Sequence, residues 1–441
     1  MKILLHYLKP HKWLVVLTLT LAAINIGFSL VDPILLGKLI NLASEHQAGT
    51  RFDANRFFNA VSWEKPGVWF IVIASITVAM ISRIAKAFQD YFLNVVIQKF
   101  GARVFTDGLQ HAMKLPYQQF EDQRSGETLS ILTKVRADVE KFMINFINIL
   151  FGVIIGVVFV FVYAAVYIHW SIPVAYLVGI LCLTVITNFL SKKIKIIQKN
   201  IVGETTALAG STTESLRNIE LVKSLGLTEQ EVVRLNKNTY KILGLELKKV
   251  KRIRSISFVQ GTFVNTLRQV ILFILMYLIF KDEMNAGQLV TMQIFSFFVF
   301  GPLHEIGNIL LSYREAEASL NNFDNLMKKT PEQEPANPKA LNNIETLSFK
   351  SVSFKHQTAS HKAINNISFD AKIGETIAFV GPSGSGKSTL MKLLVGLYRP
   401  LEGKILYNNL DETEIRFDDL RKQIGFVTQD TNLFSGTIRE N

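Results

Sequence analysis

The sequence predicts a polytopic α-helical membrane bundle, six transmembrane helices extended beyond the bilayer, joined to an α/β domain built on a phosphate-binding loop. Three observations carry that expectation. Residues 13–31, 66–82, 142–168, 171–191 and 284–303 contain no Asp, Glu, Lys or Arg, and a further apolar run, 255–280, is broken only by Arg268. The Pro-rich polar stretch KKTPEQEPANPKALNN separates these runs from short β-branched and aromatic segments. Within those segments stands GPSGSGKS.

The apolar runs decide the broad class. Most reach the ~18 uncharged residues that mark a membrane-spanning helix, and 66–82 falls just short. Hydrophobic residues make up 49% of the 441 and charged residues only 19%, below the roughly 25% of soluble domains. The single cysteine, Cys182, lies in an apolar run, so a disulfide framework within the chain is excluded. The net charge of +12 is compatible with nucleic acid by itself, but its distribution points elsewhere. Between Lys192 and Arg254 there are fourteen Lys/Arg against six Asp/Glu, whereas Ser44–Pro66 balances three against three. The positive-inside tendency therefore places the long connections 99–141 and 192–254 in the cytoplasm, and the basic excess faces membrane lipids. No nucleic acid is expected as a partner.

Each element follows in order. The opening MKILLHYLKPHKW reads as a short amphipathic helix on the cytoplasmic face, too short in its apolar part for a cleaved signal peptide. The long connections keep helical spacing, so the spans are expected to continue into the cytoplasm as antiparallel pairs; the alternative is solvated loops. Turns are expected at 115–127, with Pro116 and Gly126, and at 204–218, with Gly210. The bundle is assigned 1–327, the linker 328–343, and the α/β domain 344–441. TLSFKSVSF, AINNISFDA, TIAFVG, GKILYNN and IGFVTQ have strand character.

The loop Gly381-Pro382-Ser383-Gly384-Ser385-Gly386-Lys387-Ser388 fits G-x-x-x-x-G-K-[ST], after the apolar TIAFV and before the helical TLMKLLVGLY that Thr389 opens. Glycines let the backbone N–H groups turn inward around phosphates, and the following helix N-terminus adds partial positive charge. Lys387 is the β/γ-phosphate contact and Ser388 the Mg²⁺ ligand that this pattern predicts.

At this point the chain resembles an ATP-binding cassette (ABC) exporter half-transporter, of the lipid and multidrug kind, almost throughout. AINNISFDAKIGETIAFVGPSGSGKSTLMKLLVGLYRPLEGKILYNN is similar to the family's cassette, and LRKQIGFVTQDTNLFSGTIREN to its glutamine-loop segment. LPYQQFEDQRSGETLS and ALAGSTTESLRNIELVKSLG are similar to the two coupling-helix segments. The resemblance implies ATP and Mg²⁺ as cofactors and Gln429 as the residue that senses Mg²⁺ and the attacking water. It implies a second half-transporter as partner, in a homodimer or heterodimer, and a plasma (inner) membrane location with the cassette in the cytoplasm. His356 stands where the family usually has an adenine-stacking aromatic, and Asn408-Asn409 where an Asp/Asn-Gly turn is usual. In the family the signature motif, the Walker B carboxylates with their catalytic glutamate, and the switch histidine follow the glutamine loop. The sequence is thus expected to hold a partial nucleotide-binding domain that does not hydrolyse ATP alone.

The function implied is ATP-driven export or flipping of an amphipathic substrate: a lipid, a lipopeptide or a drug-like molecule. The alternatives are a peptide exporter, or an ATP-gated channel or regulatory membrane protein on the same scaffold. Charges within spans are functional by default because placing them in lipid costs ~3 kcal/mol or more. Arg268, 13 residues from Ser255 and so ~20 Å along its helix, is one candidate for the substrate cavity. Arg83 is the other, although ~24 Å from Gly67 it is expected near enough to the inner interface to snorkel.

Overall fold

A computed structural model describes residues 2–45, 54, 57–58, 67–121, 126–332, 334–356, 359–427, 436–437 and 439. The chain opens with α1 (Lys2–Leu8), a 3₁₀ turn at Lys9–His11 around Pro10, and α2 (Lys12–Ser44). The long helix α3 (Val68–Met113) follows, then the single-turn α4 (Gln118–Glu121) and α5 (Gly126–Asn145). A π-helical turn, Phe146–Phe151, joins α5 to α6 (Gly152–Tyr167). Next come α7 (Ser171–Arg217), the short α8 (Ile219–Ser224) and α9 (Thr228–Phe280), the longest helix at 53 residues. At 1.5 Å per residue α9 extends ~80 Å, far beyond a hydrocarbon core of ~30 Å. Last in the helical part are α10 (Ala286–Phe300) and α11 (Ile306–Met327), separated by a 3₁₀ turn at Pro302–Glu305.

Among the described residues four helical stretches are long and apolar enough to cross a membrane: Lys2–Ser44, Val68–Met113, Glu127–Tyr167 and Thr228–Phe280. Two more apolar helices, Ser171–Thr187 and Ala286–Phe300, are shorter. The second ends as Pro302, which lacks an N–H, leaves the Phe298 carbonyl without its helical donor; Gly301 still keeps helical backbone (φ −55°, ψ −58°) and the chain tightens into the 3₁₀ turn.

The expected second turn is displaced. α7 runs unbroken through Gly210, and the chain reverses at 218–227, where Gly226 takes φ +67°. One glycine among Ala, Leu and Thr costs only ~1 kcal/mol of helix, too little to open a turn.

The described residues form two compact units: Met1–Leu4, Phe100–Ala137 and Glu317–Asn441 in one, Leu5–Lys99 and Asp138–Ala316 in the other. In the all-helical unit the core gathers Leu30 of α2, Val160 and Ala164 of α6, Tyr176 and Leu183 of α7, Ile271 and Leu275 of α9, and Met292, Phe295 and Phe300 of α10. Close helix approach needs small residues at the seam. A Cβ on Gly287 of α10 would stand 1.9 Å from the Gly37 carbonyl oxygen of α2. Above that seam Asn41 Nδ2 donates to Asn285 Oδ1 (2.8 Å) and Gly287 N–H donates to Asn41 Oδ1 (2.6 Å), which clasps α2 to the start of α10.

The other unit contains β1 (Thr346–Phe354), β2 (Ile364–Lys372), α12 (Lys387–Leu394), β3 (Glu402–Tyr407), β4 (Leu410–Asp411) and α13 (Phe417–Arg421). The sheet is antiparallel in the order β2-β1-β3-β4. Asn408 (φ +50°) and Asn409 (φ +64°) make the tight β3–β4 turn, which needs left-handed backbone that Asn tolerates. Phe349, Val352, Ile364, Leu390, Leu393, Tyr398, Ile405, Tyr407 and Leu420 close the core between sheet and helices.

Two expected strands are not formed. Residues 376–380 and 424–427 carry no ladder pairing, and Val380 and Val427 are 93% and 86% exposed. A strand is a paired state, and apolar β-branched residues without a hydrogen-bonding neighbour remain extended coil. The Pro-rich segment after α11, by contrast, is pinned. Glu332 N–H donates to the Lys114 carbonyl (2.7 Å), and Lys339 pairs with Glu414 (2.7 Å).

Candidate functional site

The phosphate loop takes its shape from two glycines in left-handed backbone, Gly384 (φ +81°) and Gly386 (φ +94°). Any other residue would be strained there, and a Cβ on Gly386 would also meet the Ala363 carbonyl oxygen at 2.6 Å. Gly386 caps α12, whose Leu390 and Leu393 are buried in the core and so fix the helix axis beneath the loop. The first-turn N–H groups of α12 have no acceptors within the helix. Lys387 folds back over the loop, its Nζ donating to the carbonyls of Gly381 (2.9 Å) and Pro382 (2.8 Å). The ammonium is thereby held at the loop's mouth by two neutral acceptors, weaker partners than phosphate oxygens. Gly381, Pro382, Ser383 and Ser385 are exposed around it, Ser388 is exposed at the helix start, and Thr389 is half-buried. The loop geometry, its backbone donors and one cation fit a nucleotide polyphosphate, and the Ser388 hydroxyl fits a Mg²⁺ ligand. Gln429 lies outside the described residues.

His356 is neither a free loop side chain nor a flat platform. Its half-buried ring sits edge-on to Phe354 (centroids 5.0 Å, 84°) and to Tyr398 (5.3 Å, 90°). Phe354 and Tyr398 stack at 4.6 Å, and Tyr117, just ahead of α4, approaches Tyr398 at 5.8 Å. Lys392 of α12 places its ammonium 5.1 Å from the Tyr117 ring centre and 5.3 Å from that of Tyr398. A cation between two ring faces gains quadrupole attraction from both. The first expected turn, near 115–127, is thus tied to the helix that follows the phosphate loop through Tyr117, Lys392 and Tyr398. Sequence reasoning had not singled out these three; Tyr117 lies within the quoted LPYQQF segment, but nothing local marks the others.

The two arginine candidates stand apart. Arg268 of α9 lays its guanidinium 3.6 Å from the centre of the Phe297 ring of α10. Its Nε is buried without a hydrogen-bond partner among the described residues, so an aromatic face takes the place of a carboxylate. Arg83 instead lines a cleft between α2 and α3 that Arg268 does not reach. Asp32 and Lys86 line the same cleft, and sequence reading had passed over Asp32 because its span was counted as ending one residue earlier.

Comparison with known proteins agrees with both halves. Residues 15–303 match the family described as ABC transporter transmembrane region, and residues 364–441 match the ABC transporter family. An export ATP-binding/permease protein of Rickettsia bellii is 28% identical over 82% of the chain and 63% of its own length. An ATP-dependent lipid A-core flippase of Colwellia psychrerythraea is 25% identical over 100% of the chain and 72% of its own length. The chain spans about two thirds of the length of such curated relatives. A solved bacterial Atm1-family ABC exporter with ATP bound superposes with a TM-score of 0.75 at 19% identity, over 97% of this chain and 73% of that one.

Proposed function

The chain belongs to the ABC transporter family as a multi-pass membrane protein, and from that premise we propose that it forms the membrane bundle and nucleotide loop of an ATP-driven exporter or flippase of amphipathic molecules. In this reading 1–327 is the membrane domain, 328–343 the linker and 344–441 the part of the nucleotide-binding domain that carries the loop. A second half-transporter completes the assembly, with the nucleotide site in the cytoplasm beneath the plasma (inner) membrane. The observation that carries the reading is Lys387 poised across its own loop in a chain that is otherwise an apolar helical bundle. Gly381 to Gly386 would cradle the phosphates with their N–H groups, Lys387 would neutralise them, and Ser388 with Gln429 would hold Mg²⁺. His356 would border the base. Bound Mg²⁺ supplies neutralisation of charge on the β- and γ-oxygens. The flippase named among the relatives supports a lipid-like substrate.

The test is reconstitution of the full-length transporter in liposomes with a fluorescent lipid. ATP should drive movement of the probe across the bilayer, and Lys387→Ala should abolish both turnover and movement. ATP-dependent ion currents without probe movement would overturn export in favour of a channel.

A further inference from the structure

We propose that the linker between α11 and β1 works as a strap that carries nucleotide-driven movement of α12 to α3, with Arg421 and Gln423 as the positioning residues that hold it. This rests on the ATP-driven exporter reading and adds to it a mechanical route from the phosphate loop to a membrane helix.

A Pro-rich polar stretch is a semi-rigid spacer when nothing holds it. Here the stretch is bonded along its length. His111 Nε2 of α3 donates to the Lys329 carbonyl (3.0 Å), and the Glu332 N–H donates to the Lys114 carbonyl (2.7 Å). Farther on, the Lys339 N–H donates to the Glu414 carbonyl (2.8 Å). Gln423 accepts from the Ile344 N–H (3.2 Å) and donates to the Leu341 carbonyl (3.2 Å). The charges are matched as well: Glu332 meets Arg421 (3.4 Å), Glu334 meets Arg416 (3.8 Å) and Lys339 meets Glu414 (2.7 Å). One end of the strap is thus fixed to α3, a single helix of 46 residues or ~69 Å. The rest is fixed to α13 and the residues flanking it.

Arg421 is the junction. Its Nε donates to the Val395 carbonyl (3.3 Å) and its Nη2 to the Gly396 carbonyl (2.7 Å), just past the C-terminus of α12. A cation there complements the negative end of the helix dipole. The N-terminus of the same helix is the phosphate loop, only eight residues or ~12 Å away. Arg421 Nη2 also reaches Glu332. A tilt of α12 as the loop fills is therefore passed to Glu332 through one guanidinium, and from Glu332 to Lys114 through its own backbone N–H. Gln423 fixes the far end of the strap, and Gln429 follows six residues later in the sequence. An inert seam would be held by its apolar anchors, Leu341 and Ile344, which pack against the core of the sheet. The contacts at Lys329 and Glu332 lie outside those anchors. They are directional hydrogen bonds, which hold their geometry where packed apolar surfaces slide.

The experiment uses the full-length transporter in a cysteine-free background, with a bimane fluorophore on Met113→Cys. Met113 is 76% exposed at the end of α3. A non-hydrolysable ATP analogue should shift the bimane emission of this parent. Glu332→Gln removes the carboxylate that Arg421 binds, and Gln423→Glu sets an acceptor against the Leu341 carbonyl, both without a change of shape. Combined, they should reduce the shift by about fivefold or more, the scale of a lost coupling contact, with the affinity for the analogue unchanged. In liposomes the same pair should lower the lipid probe moved per ATP by a similar factor while KM for ATP holds. Glu334→Gln, at an exposed pair, should alter neither readout.

An unchanged bimane shift in the double variant overturns the proposal, as does a parent without a nucleotide-dependent shift. An equal effect of Glu334→Gln overturns it too, because any lost charge would then suffice. So does weakened analogue binding or failure of the double variant to fold, since the linker would then be structural. The bimane shift needs only nucleotide binding. A parent that moves no lipid probe with ATP would therefore overturn the exporter reading and leave the strap standing.

Discussion

Glu412 shows how one buried carboxyl writes a pH dependence into the sheet-bearing unit. It is 5% exposed, with Oε2 unpartnered among the described residues. Burial, reinforced by the Asp411 charge and opposed by Arg399, pushes its pKa from 4.5 up to about 7. The sign follows directly: the unfolded chain releases this proton near 4.5, while the folded chain holds it to about 7. Stability from this group is therefore intact below the lower value, falls as pH rises between the two, and is constant above the upper one. The full loss is on the order of 3 kcal/mol. Half-buried Asp411 and Glu414 and exposed Glu402 have pKa values held down: for Asp411 the upward pull of burial is outweighed by Thr413 and Lys404 together, while Lys339 lowers Glu414 and Lys362 lowers Glu402. They act in the opposite sense, losing stability as pH falls, so only a variant difference isolates Glu412. Glu412→Gln should raise the unfolding midpoint of the full chain at pH 8 and leave it nearly unchanged at pH 4.5, measured by calorimetry. An equal shift at both pH values would exclude the titration.

Elements depend on where a missing side chain is needed. Gly287 and Gly210 are both helical glycines with opposite surroundings: the first abuts the Gly37 backbone, and nothing lies within 4 Å of a Cβ on the second. Gly287→Ala should cost ~1–3 kcal/mol by forcing α10 off α2 and opening the Asn41–Asn285 clasp. Gly210→Ala should instead stabilise α7 by ~0.5–1 kcal/mol, since alanine is the better helix former. Thermal melts of the two variants check both, and a destabilised Gly210→Ala would restore the turn to that position. The same contrast shows what was legible. Uncharged runs of about twenty residues have few uses besides crossing lipid, and glycines spaced for left-handed backbone before Gly-Lys-Ser have few besides phosphate. The displaced turn and the unformed strands at 376–380 and 424–427 were not legible, because both depend on what packs beside them. The polar cleft was hidden for a related reason. Asn25 and Ser29 meet Ser82 across more than fifty residues, and only the α2–α3 register brings Asp32 and Arg83 to one wall.

At the scale of the whole molecule, orientation follows from charge and connectivity together. Of the +12 net charge, an excess of eight lies between Lys192 and Arg254, fourteen basic against six acidic. Lys248, Lys249, Lys251, Arg252 and Arg254 form a collar where the apolar part of α9 begins. The turns at 168–170 and 281–285 meet at the other end of the helices. Gln288 Nε2 donates to the Tyr167 carbonyl (3.0 Å), and His169 Nε2 lies 3.9 Å from Glu283 Oε2. α7 separates 170 from the 218–227 reversal by 47 residues, or ~70 Å. One apolar stretch of α9 stands between Ser224 and Lys281, so these residues belong on opposite faces, and the proposed orientation puts the collar side in the cytoplasm. Because Cys182 is the single cysteine, Cys182→Ser gives a blank background for reporters. A membrane-impermeant maleimide should label Lys281→Cys in intact cells and Ser224→Cys only in inverted vesicles. Labelling of both from one side would break the reading of α9 as a span. A clean reversal would put the phosphate loop outside the cell, away from ATP, and the exporter reading would fall with it.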